Sequence, residues 1–372
     1  MRRRASSLPT SSWRSPPTID KRRIPVPKTP SPRTDAEELK RQLSVRILIF
    51  ALLAQLVMAG GLIFFAVNGF PMIGGGAPPQ SRDRAPGTAA GTAPPATPPA
   101  VTAALPRAKV DRFDSARAYR LTARQVAVGQ RPAGSPQLVR LADELRRLLP
   151  SGRFEALPDT TPAKPLRNIV GTIRGRRPAI VIGAHYDTLV TPKGFVGANN
   201  GAAGSAVVIE VARAMRKLTR PAGARELKFV LFDGEEPAEG LPSDQPDFYS
   251  VGLRGSRAYV ARHPRGTREM LLLDYVGNKG LTLPREASSD VRLWQAVRRS
   301  AASVGVGSVF PDRVDLLIQD DHTPFLRAGV PAVDFIDWSY PGQTLQDSMK
   351  QISSRALDAV GETVVQYLRT AR

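Results

Sequence analysis

Three short apolar runs, each ending in ionisable residues, are the feature that most constrains how this chain can fold. They are AIVIGAHYD (Ala179–Asp187), LKFVLFDGEE (Leu227–Glu236) and MLLLDYVG (Met270–Gly277). Continuous apolar runs of this length are typical of β-strands buried on both faces. In open α/β sheets, ligands bind in the crevice beyond the carboxyl ends of the strands. We therefore expect the ionisable side chains at these run ends to meet in one crevice; they are His185, Asp187, Glu235, Glu236 and Asp274.

Strand and helix patterns alternate through residues 107–372. Strands are predicted at Asn168–Ile173, Ala179–Ala184, Leu227–Phe232, Met270–Asp274 and Ala332–Ile336. Helices are predicted at Phe113–Gly129, Ser135–Leu149, Ala202–Leu218, Leu253–Arg262, Val291–Val304 and Ser354–Arg369. Strands that alternate with helices of this length indicate an α/β domain with a mostly parallel central sheet, covered by helices on both faces.

Composition limits the chemistry that this domain can carry. The 372 residues include no cysteine, so a disulfide framework and thiolate metal ligands are both excluded. The formal net charge is +20, which could indicate nucleic-acid binding. However, the basic residues are spread along the chain, and no nucleic-acid-binding motif accompanies them. We therefore interpret the charge as a solvated, arginine-rich surface and expect no nucleic-acid partner.

The segment before the domain has the composition of a membrane anchor. Residues 1–46 hold twelve Lys or Arg against four Asp or Glu, are rich in proline, and are expected to be a disordered cytoplasmic tail. Residues 47–67 (ILIFALLAQLVMAGGLIFFAV) would span roughly 31 Å as a helix, which matches the apolar core of a bilayer. Residues 68–106 are rich in Pro, Ala, Gly and Thr and are predicted to be an extended linker.

Two other interpretations of residues 47–67 compete with the anchor. A cleaved signal peptide usually has a shorter apolar core and a shorter charged segment before it. A buried helix of a soluble domain would be amphipathic, whereas this segment is apolar on every face. The sequence therefore predicts a single-pass membrane protein with a cytoplasmic N-terminus and an extracytoplasmic C-terminal domain.

The polar residues at the strand ends are suited to metal binding and proton transfer. His185 could offer an imidazole to a metal, with Asp187 orienting that imidazole, although a structural histidine is the alternative. Glu235 and Glu236 are adjacent, so one carboxylate could bind a metal while the other acts as a general base; a surface acidic pair is the alternative.

Asp274 and a cluster of three later residues are candidates for the same site. Asp274 interrupts an apolar run, where an unpaired carboxylate would be costly to bury. Asp320, Asp321 and His322 form another acidic and imidazole cluster, just before PFLRAGVPAVDFI. For each of these residues, a satisfied structural hydrogen bond is an equal alternative.

Five motifs in a fixed order resemble the zinc-dependent aminopeptidase and glutaminyl-peptide cyclotransferase family. They are HYDT, GANNGAAG, LFDGEE, LLLDYVG and QDDHTPFLRAGVP, and the resemblance extends from about Phe113 to the C-terminus. FDGEE followed by YSVGLRGSRAYV, together with QDDHTPF, is most similar to the glutaminyl cyclase branch. The resemblance implies a single α/β domain with a mixed central sheet, and zinc as cofactor.

The resemblance also implies roles for individual residues. Glu235 matches the family's general acid/base and Glu236 a zinc ligand. Independently of the resemblance, we expect Asp187 and His322 to lie behind the residues that bind the metal. His185 and Asp274 match ligands of the second zinc in two-zinc aminopeptidases. In the cyclases, which hold one zinc, the residue matching Asp274 instead joins those matching Glu235 and Asp320 in a hydrogen-bonded acid network.

Two metal-ligand positions depart from the family pattern. Asn200 stands where the family has a zinc-binding aspartate, and Gln343 stands where it has the last metal histidine. A cyclase-type zinc would keep only Glu236 of its three protein ligands, and neutral amides are poor replacements for the lost ligands. A metal could shift toward His185 and Asp274 with help from Glu236 and the Asn200 oxygen, Asn200 could deamidate to an acid, or catalysis could be lost.

Two functions follow as hypotheses. The first is a membrane-anchored, extracytoplasmic enzyme that acts on peptide or protein N-termini, as a glutaminyl cyclase or an aminopeptidase, with Glu235 as general acid/base. The alternative is a pseudoenzyme that keeps the crevice as a peptide-binding or assembly module with a degenerate metal site. The oligomeric state stays open.

Overall fold

The computed structural model describes residues 104–238 and 248–371. The predicted tail, the apolar segment 47–67 and most of the predicted linker lie outside these residues, so the membrane anchor and its orientation stay predictions. Within the two described ranges, no helix is both long enough and apolar enough to cross a membrane.

The domain is built on one mixed sheet of six strands. The strands are β1 (Arg153–Ala156), β2 (Arg167–Ile173), β3 (Arg176–His185), β4 (Arg225–Phe232), β5 (Thr267–Leu273) and β6 (Ala332–Phe335). Their order across the sheet is β1-β2-β4-β3-β5-β6. The four strands β4, β3, β5 and β6 pair in parallel, whereas β1 with β2 and β2 with β4 pair antiparallel. The expected α/β domain with a mixed central sheet is confirmed.

Strand β1 is the element that the sequence pattern did not predict. It has four residues at the sheet edge, and only Glu155 among them is buried. Such a short edge strand carries no apolar run, because one face of it is exposed to water and its neighbours supply little burial.

Helices cover both faces of the sheet. They are α1 (Ser115–Val126), α2 (Pro136–Leu148), α3 (Gly204–Lys217), α4 (Phe248–Val251), α5 (Arg254–Arg262), α6 (Val291–Ser303), α7 (Thr323–Arg327) and α8 (Ser354–Thr370). Successive strand residues pack into different cores: Ile180 and Ile182 belong to the larger cluster, and Val181 to the smaller. The larger core also contains side chains of α1, α2, α3, α6 and α8, and the smaller contains Tyr259 of α5 and Phe325 of α7. This alternation explains why β3 is apolar at every position from Ala179 to Ala184.

The strand register brings the ends of the strands together. His185 at the end of β3 lies opposite Phe232 at the end of β4, and Leu273 at the end of β5 lies opposite Phe335 at the end of β6. Because these strands are parallel, the segments that follow them emerge at the same edge of the sheet. The polar clusters identified in the sequence therefore start from neighbouring points.

Helix α3 begins two residues later than the sequence pattern predicted, because the chain is kinked before it. A π-type turn at Ala198–Ala203 contains Asn200 in an extended conformation (φ −78°, ψ 97°) and Gly201 at φ +92°. A Cβ atom on Gly201 would lie 2.6 Å from the carbonyl oxygen of Asp187. Only glycine can adopt this positive φ without strain and leave room for the Asp187 carbonyl oxygen.

Candidate active site

A cavity of about 250 Å³ lies beyond the carboxyl ends of the parallel strands. Its polar lining contains six of the residues singled out in the sequence: Asn200, Glu235, Glu236, Asp274, Asp320 and Gln343. Its apolar lining comes mainly from Phe248, Tyr275, Leu317, Ile318, Ile336 and Trp338. The expected convergence of the strand-end residues is therefore observed, and it produces an acidic pocket with apolar walls.

His185 lies at the centre of the acidic residues, with only 1% of its surface exposed. Its Nδ1 atom is 3.5 Å from Oδ1 of Asp187 and 3.6 Å from Oε2 of Glu235, and its Nε2 atom is 3.5 Å from Oδ1 of Asp274. Burial alone would lower the pKa of His185, but the Glu235, Asp187 and Asp274 carboxylates outweigh burial and raise it well above its ordinary value. A buried imidazolium would balance part of the negative charge of the pocket.

Asp187 fixes the turn that carries the two glutamates. Its carboxylate accepts the backbone N–H groups of Glu235 and Glu236, each at 3.3 Å. The sequence led us to expect that Asp187 orients the His185 ring, and its position beside Nδ1 is compatible with that. Asp187 also holds the turn after β4 in place through its two hydrogen bonds. These bonds can form because β3 and β4 pair in parallel and end side by side.

The two glutamates diverge, as their adjacency predicted. Glu235 faces His185, whereas Oε1 of Glu236 accepts a hydrogen bond from Nδ2 of Asn200 at 2.9 Å. Burial and the neighbouring Glu236, Asp320 and Asp321 carboxylates raise the pKa of Glu235 well above its ordinary value. Burial raises the pKa of Glu236 to about 8, despite the opposing effects of His185 and the Asn200 hydrogen bond. Carboxyl groups of this kind can exchange protons near neutral pH.

Asp274 and Tyr275 form the turn after β5. Oδ1 of Asp274 accepts the backbone N–H of Tyr275 at 2.9 Å, and Tyr275 has a left-handed backbone (φ +46°). The Tyr275 ring stacks on Trp338, with centroids 5.9 Å apart and planes 7° apart. A left-handed backbone is unfavourable for a bulky residue and is characteristic of functional sites. The sequence analysis singled out neither Tyr275 nor Trp338. The one available signal was that each follows an aspartate near the end of a strand.

Asp320 reaches the cavity, whereas His322 does not. Burial, followed by the charge of Asp274, raises the pKa of Asp320 to about 6 against the opposing charge of His322. The Nε2 atom of His322 lies 3.0 Å from Oγ of Ser288 and 3.2 Å from Oε2 of Glu286, in a separate buried network. His322 therefore lies behind Asp320, and a function in orienting metal ligands stays a prediction.

Asn200 and Gln343, which the resemblance assigns to metal-ligand positions, both line the cavity. The backbone N–H of Asn200 donates to Oδ2 of Asp347 at 3.0 Å, and that of Asn199 donates to Oδ1 of Asp347 at 2.8 Å. Tyr340 donates its hydroxyl hydrogen to the same Oδ1 at 2.7 Å. Asp347, four residues after Gln343, was not among the predicted site residues, and its function as the anchor of Asn200 was missed.

Arg131 is a second residue that sequence reasoning missed. It is fully buried, and its guanidinium donates to the carbonyl oxygens of Tyr186, Val196 and Gly197 at 2.6 to 3.2 Å. Burial lowers its pKa to about 10, against the opposing charges of Asp347 and Asp187. One cation thus joins the segment after β3 to the loop that leads into Asn200. No local pattern distinguishes this arginine from the exposed ones.

A model of peptidase family M28 matches residues 168–368, and the chain belongs to this family. The glutaminyl-peptide cyclotransferase of Bos taurus is 28% identical over 239 residues, which cover 54% of this chain and 66% of that protein. Aminopeptidase YwaD of Bacillus subtilis (strain 168) is 26% identical over 219 residues, or 53% of this chain and 43% of that protein. The chain thus spans less than two thirds of the length of these curated relatives.

Among solved structures, the glutaminyl cyclase of Porphyromonas gingivalis superposes with a TM-score of 0.61 at 30% identity, covering 70% of this chain and 99% of that one. The resemblance to cyclases and aminopeptidases is confirmed by these matches. The enzyme family and its fold are established for the part of the chain that the structure describes.

The residues of the pocket do not fit a cyclase-type zinc ion. Zinc needs lone pairs directed at it, usually from three or four protein ligands. At this position the Asn200 amide directs an N–H toward Glu236, and three acceptor oxygens surround its Nδ2 atom: those of Glu236, Tyr275 and Gly342. Even with Oδ1 of Asn200, which is buried without a hydrogen-bond partner among the described residues, this position offers one carboxylate and two amides, whereas zinc prefers His, Cys or carboxylate ligands.

The position of the second zinc also has too few protein ligands. His185 and Asp274 offer two ligands there, and two are fewer than the three that a catalytic zinc usually has from protein. Within residues 104–238 and 248–371, no group of three or more His, Cys, Asp or Glu side chains is arranged to hold a metal ion. We therefore derive the chemistry of the pocket from its protein groups alone.

Proposed function

We propose that this chain is an enzyme that cyclises N-terminal glutamine of peptides or proteins, with Glu235 as the general acid/base. The observation that carries the proposal is the common cavity of Glu235, Asp274 and Asp320, three carboxyl groups that face one small pocket with apolar walls. Two of these carboxyl groups, Glu235 and Asp320, have raised pKa values. A raised pKa makes a carboxyl group a better proton acceptor than an ordinary carboxylate, and the proton it takes up can be passed on during the reaction.

The pocket has the chemistry to bind a peptide N-terminus. Its carboxyl groups attract the positively charged α-amino group, and the apolar walls, among them Ile336 and Trp338, can contact the methylene groups of the first side chain. A volume of about 250 Å³ suits the end of a chain better than an extended segment. Peptide N-termini are therefore the proposed substrate class.

The proposed reaction needs only one proton-transfer group. The α-amino group gives up its extra proton to solvent, and its neutral nitrogen then attacks the side-chain amide carbon of the same glutamine, so that a new carbon–nitrogen bond closes a five-membered ring. Glu235 takes a proton from the attacking nitrogen and passes it to the amide nitrogen as the old carbon–nitrogen bond breaks. The products are a pyroglutamyl peptide and ammonia, and all atoms are accounted for.

Cyclisation suits this pocket better than hydrolysis. In cyclisation the nucleophile is part of the substrate, and holding it in place can supply an effective concentration of about 10⁵–10⁸ M. Releasing an amino acid requires an activated water, which the family's metal would generate and which the amides at Asn200 and Gln343 do not favour. The reaction of an aminopeptidase is therefore the less favoured alternative.

We also propose that residues 47–67 anchor the enzyme in a membrane, with the domain outside the cytoplasm. The basic segment before the apolar run supports this orientation. Proteinase added to intact spheroplasts should digest a tag at the C-terminus and spare a tag at the N-terminus. The reverse pattern would exclude the proposed orientation.

A peptide-binding module without catalysis is the second candidate, and one observation favours it. The hydrogen bond between Asn200 and Glu236 engages two of the three positions that would hold the cyclase zinc. If that metal is indispensable, the pocket can still bind an N-terminus through its carboxyl groups. Binding would then be retained, with no product formed.

Ammonia release from a Gln-peptide separates the candidates. The full chain, purified in detergent, should turn over Gln-peptides, and Glu235→Gln should reduce kcat by about 10²- to 10⁴-fold. Glu269→Gln is the matched control, because Glu269 lies near the start of β5, away from the strand ends that form the cavity. Calorimetric binding of Gln-peptides without any turnover would support the binding module, and release of free amino acids would support the aminopeptidase.

A further inference from the structure

We propose that the side-chain N–H of Asn200 and the hydroxyl of Tyr275 form a two-donor oxyanion hole, which polarises the glutamine side-chain carbonyl in place of a metal ion. The two donor atoms are 3.3 Å apart and both residues line the cavity with Glu235. This inference rests on the proposed cyclisation. It assigns a catalytic contact to Tyr275 and turns the departure at Asn200 into a functional feature.

The Asn200 amide is held in a fixed orientation. Its backbone N–H is bound to Asp347, and its Nδ2 atom donates to Oε1 of Glu236 at 2.9 Å. One hydrogen of the amide group is used in that bond. The second hydrogen has only longer contacts, 3.3 Å to the Tyr275 hydroxyl and 3.4 Å to the Gly342 carbonyl oxygen. A substrate oxygen in the cavity can therefore replace these weak acceptors.

Tyr275 is held just as firmly. Its backbone N–H is bound by Asp274, its φ of +46° directs the side chain along the cavity wall, and Trp338 stacks on its ring. The hydroxyl accepts from Asn200, which leaves its own hydrogen for another acceptor. A phenol keeps this hydrogen at neutral pH, since its ordinary pKa is about 10. The left-handed backbone of a tyrosine is unfavourable and needs such support.

Two fixed donors that converge on one point are what a carbonyl oxygen requires as negative charge develops on it. Donors already in position cost no reorganisation during the reaction, and each can contribute a factor of about 10²–10³ in kcat. The surrounding carboxyl groups oppose negative charge on the substrate, so the reaction depends strongly on these donors. A carboxylate at position 200 could not donate, whereas the asparagine can.

The test compares Tyr275→Phe with Tyr367→Phe in the full chain, using ammonia release from a Gln-peptide. Tyr275→Phe removes one O–H group and keeps the ring on Trp338, so kcat should fall about 10²- to 10³-fold, with KM changed by less than about threefold. Tyr367→Phe is the control, because that hydroxyl bonds Glu269 at 2.5 Å, away from the cavity. Its kcat should equal that of the wild type.

A chelator distinguishes the donors from a metal. After dialysis against dipicolinate, the wild type should keep its kcat, and added zinc should not increase it. Loss of turnover that zinc restores would overturn the oxyanion hole and leave the cyclase proposal in place. An unchanged kcat in Tyr275→Phe would likewise overturn the oxyanion hole and leave the cyclase proposal in place. If the wild type and Glu235→Gln both fail to release ammonia, the proposed cyclisation fails, and the oxyanion hole fails with it.

Discussion

Asn200 donates its side-chain N–H to the Glu236 carboxyl oxygen across 2.9 Å, so two residues that the resemblance assigns to metal-ligand positions bind each other in this chain. The bond is buried, since 2% of Asn200 and 3% of Glu236 are exposed. Buried hydrogen bonds to a carboxyl group contribute about 1.5–3 kcal/mol when that group is ionised. A zinc ion would have to break this bond before it could bind Glu236 in the same place.

Restoring the family ligands should restore metal binding. In the double variant Asn200→Asp with Gln343→His, the two new side chains and Glu236 would together give the cavity three ligands of the kinds that zinc prefers. We expect about one equivalent of zinc per chain after dialysis, measured by elemental analysis, against none in the wild type. Equal zinc content in the two proteins would show that the substitutions do not decide metal binding.

Arg131 should contribute strongly to stability. Arg131→Met keeps an unbranched side chain but leaves three carbonyl oxygens without their donor. A buried group that loses its partner costs about 1–3 kcal/mol, so the free energy of unfolding should fall by roughly 3 kcal/mol or more. Urea unfolding followed by tryptophan fluorescence measures this change.

Arg124→Met is the matched control for Arg131. Arg124 is exposed and pairs with Glu144 at 3.2 Å on the surface. A surface ion pair contributes about 0–1 kcal/mol, so this variant should unfold close to the wild type. Similar losses in the two variants would mean that the buried guanidinium has no special function in holding the loop.

The glycine at position 201 should be intolerant of a side chain, and Gly194 provides the comparison. Both glycines have a left-handed backbone, at φ +92° and φ +87°. A Cβ atom on Gly201 would lie 2.6 Å from the Asp187 carbonyl oxygen, whereas one on Gly194 would have no atom within 4 Å. Gly194→Ala should cost about 1–2 kcal/mol from its backbone alone, and Gly201→Ala clearly more. Thermal unfolding of both variants measures their loss of stability, and the clash predicts a larger loss for Gly201→Ala than for Gly194→Ala.

The Glu286 network should make stability depend on acid pH. Burial alone would raise the pKa of Glu286, but the hydrogen bond and charge of His322, with backbone N–H groups, lower it to about 2 from an ordinary value of 4.5. Because the folded pKa is the lower one, this stabilisation is fully present above about pH 4.5 and is lost as the pH falls toward 2.

Urea unfolding of the wild type and Glu286→Gln at several pH values tests this. The difference in unfolding free energy should be constant above about pH 5 and should shrink steadily below it, because only the wild type loses an ionised carboxylate. A difference that stays constant down to pH 2 would contradict the assigned network.

Much of the fold could be predicted because burial leaves a local pattern. The five predicted strands occur within a few residues of their expected ends, since runs such as Ala179–Ala184 pack on both faces of the sheet. Strand β1 was missed because its charged edge position has no such pattern. The start of α3 shifted because the left-handed Gly201 interrupts the helix, which helical periodicity does not reveal.

The apolar runs alone predicted that His185, Glu235, Glu236 and Asp274 would meet, since parallel strands with buried faces end at one edge of the sheet. The resemblance also predicts that amides stand at two metal-ligand positions. What those amides contact depends on the tertiary structure. The contacts of Asn200 with Glu236, Tyr275 and Asp347 join positions 36, 75 and 147 residues apart. They depend on left-handed turns and close packing, which no local pattern of residue types encodes.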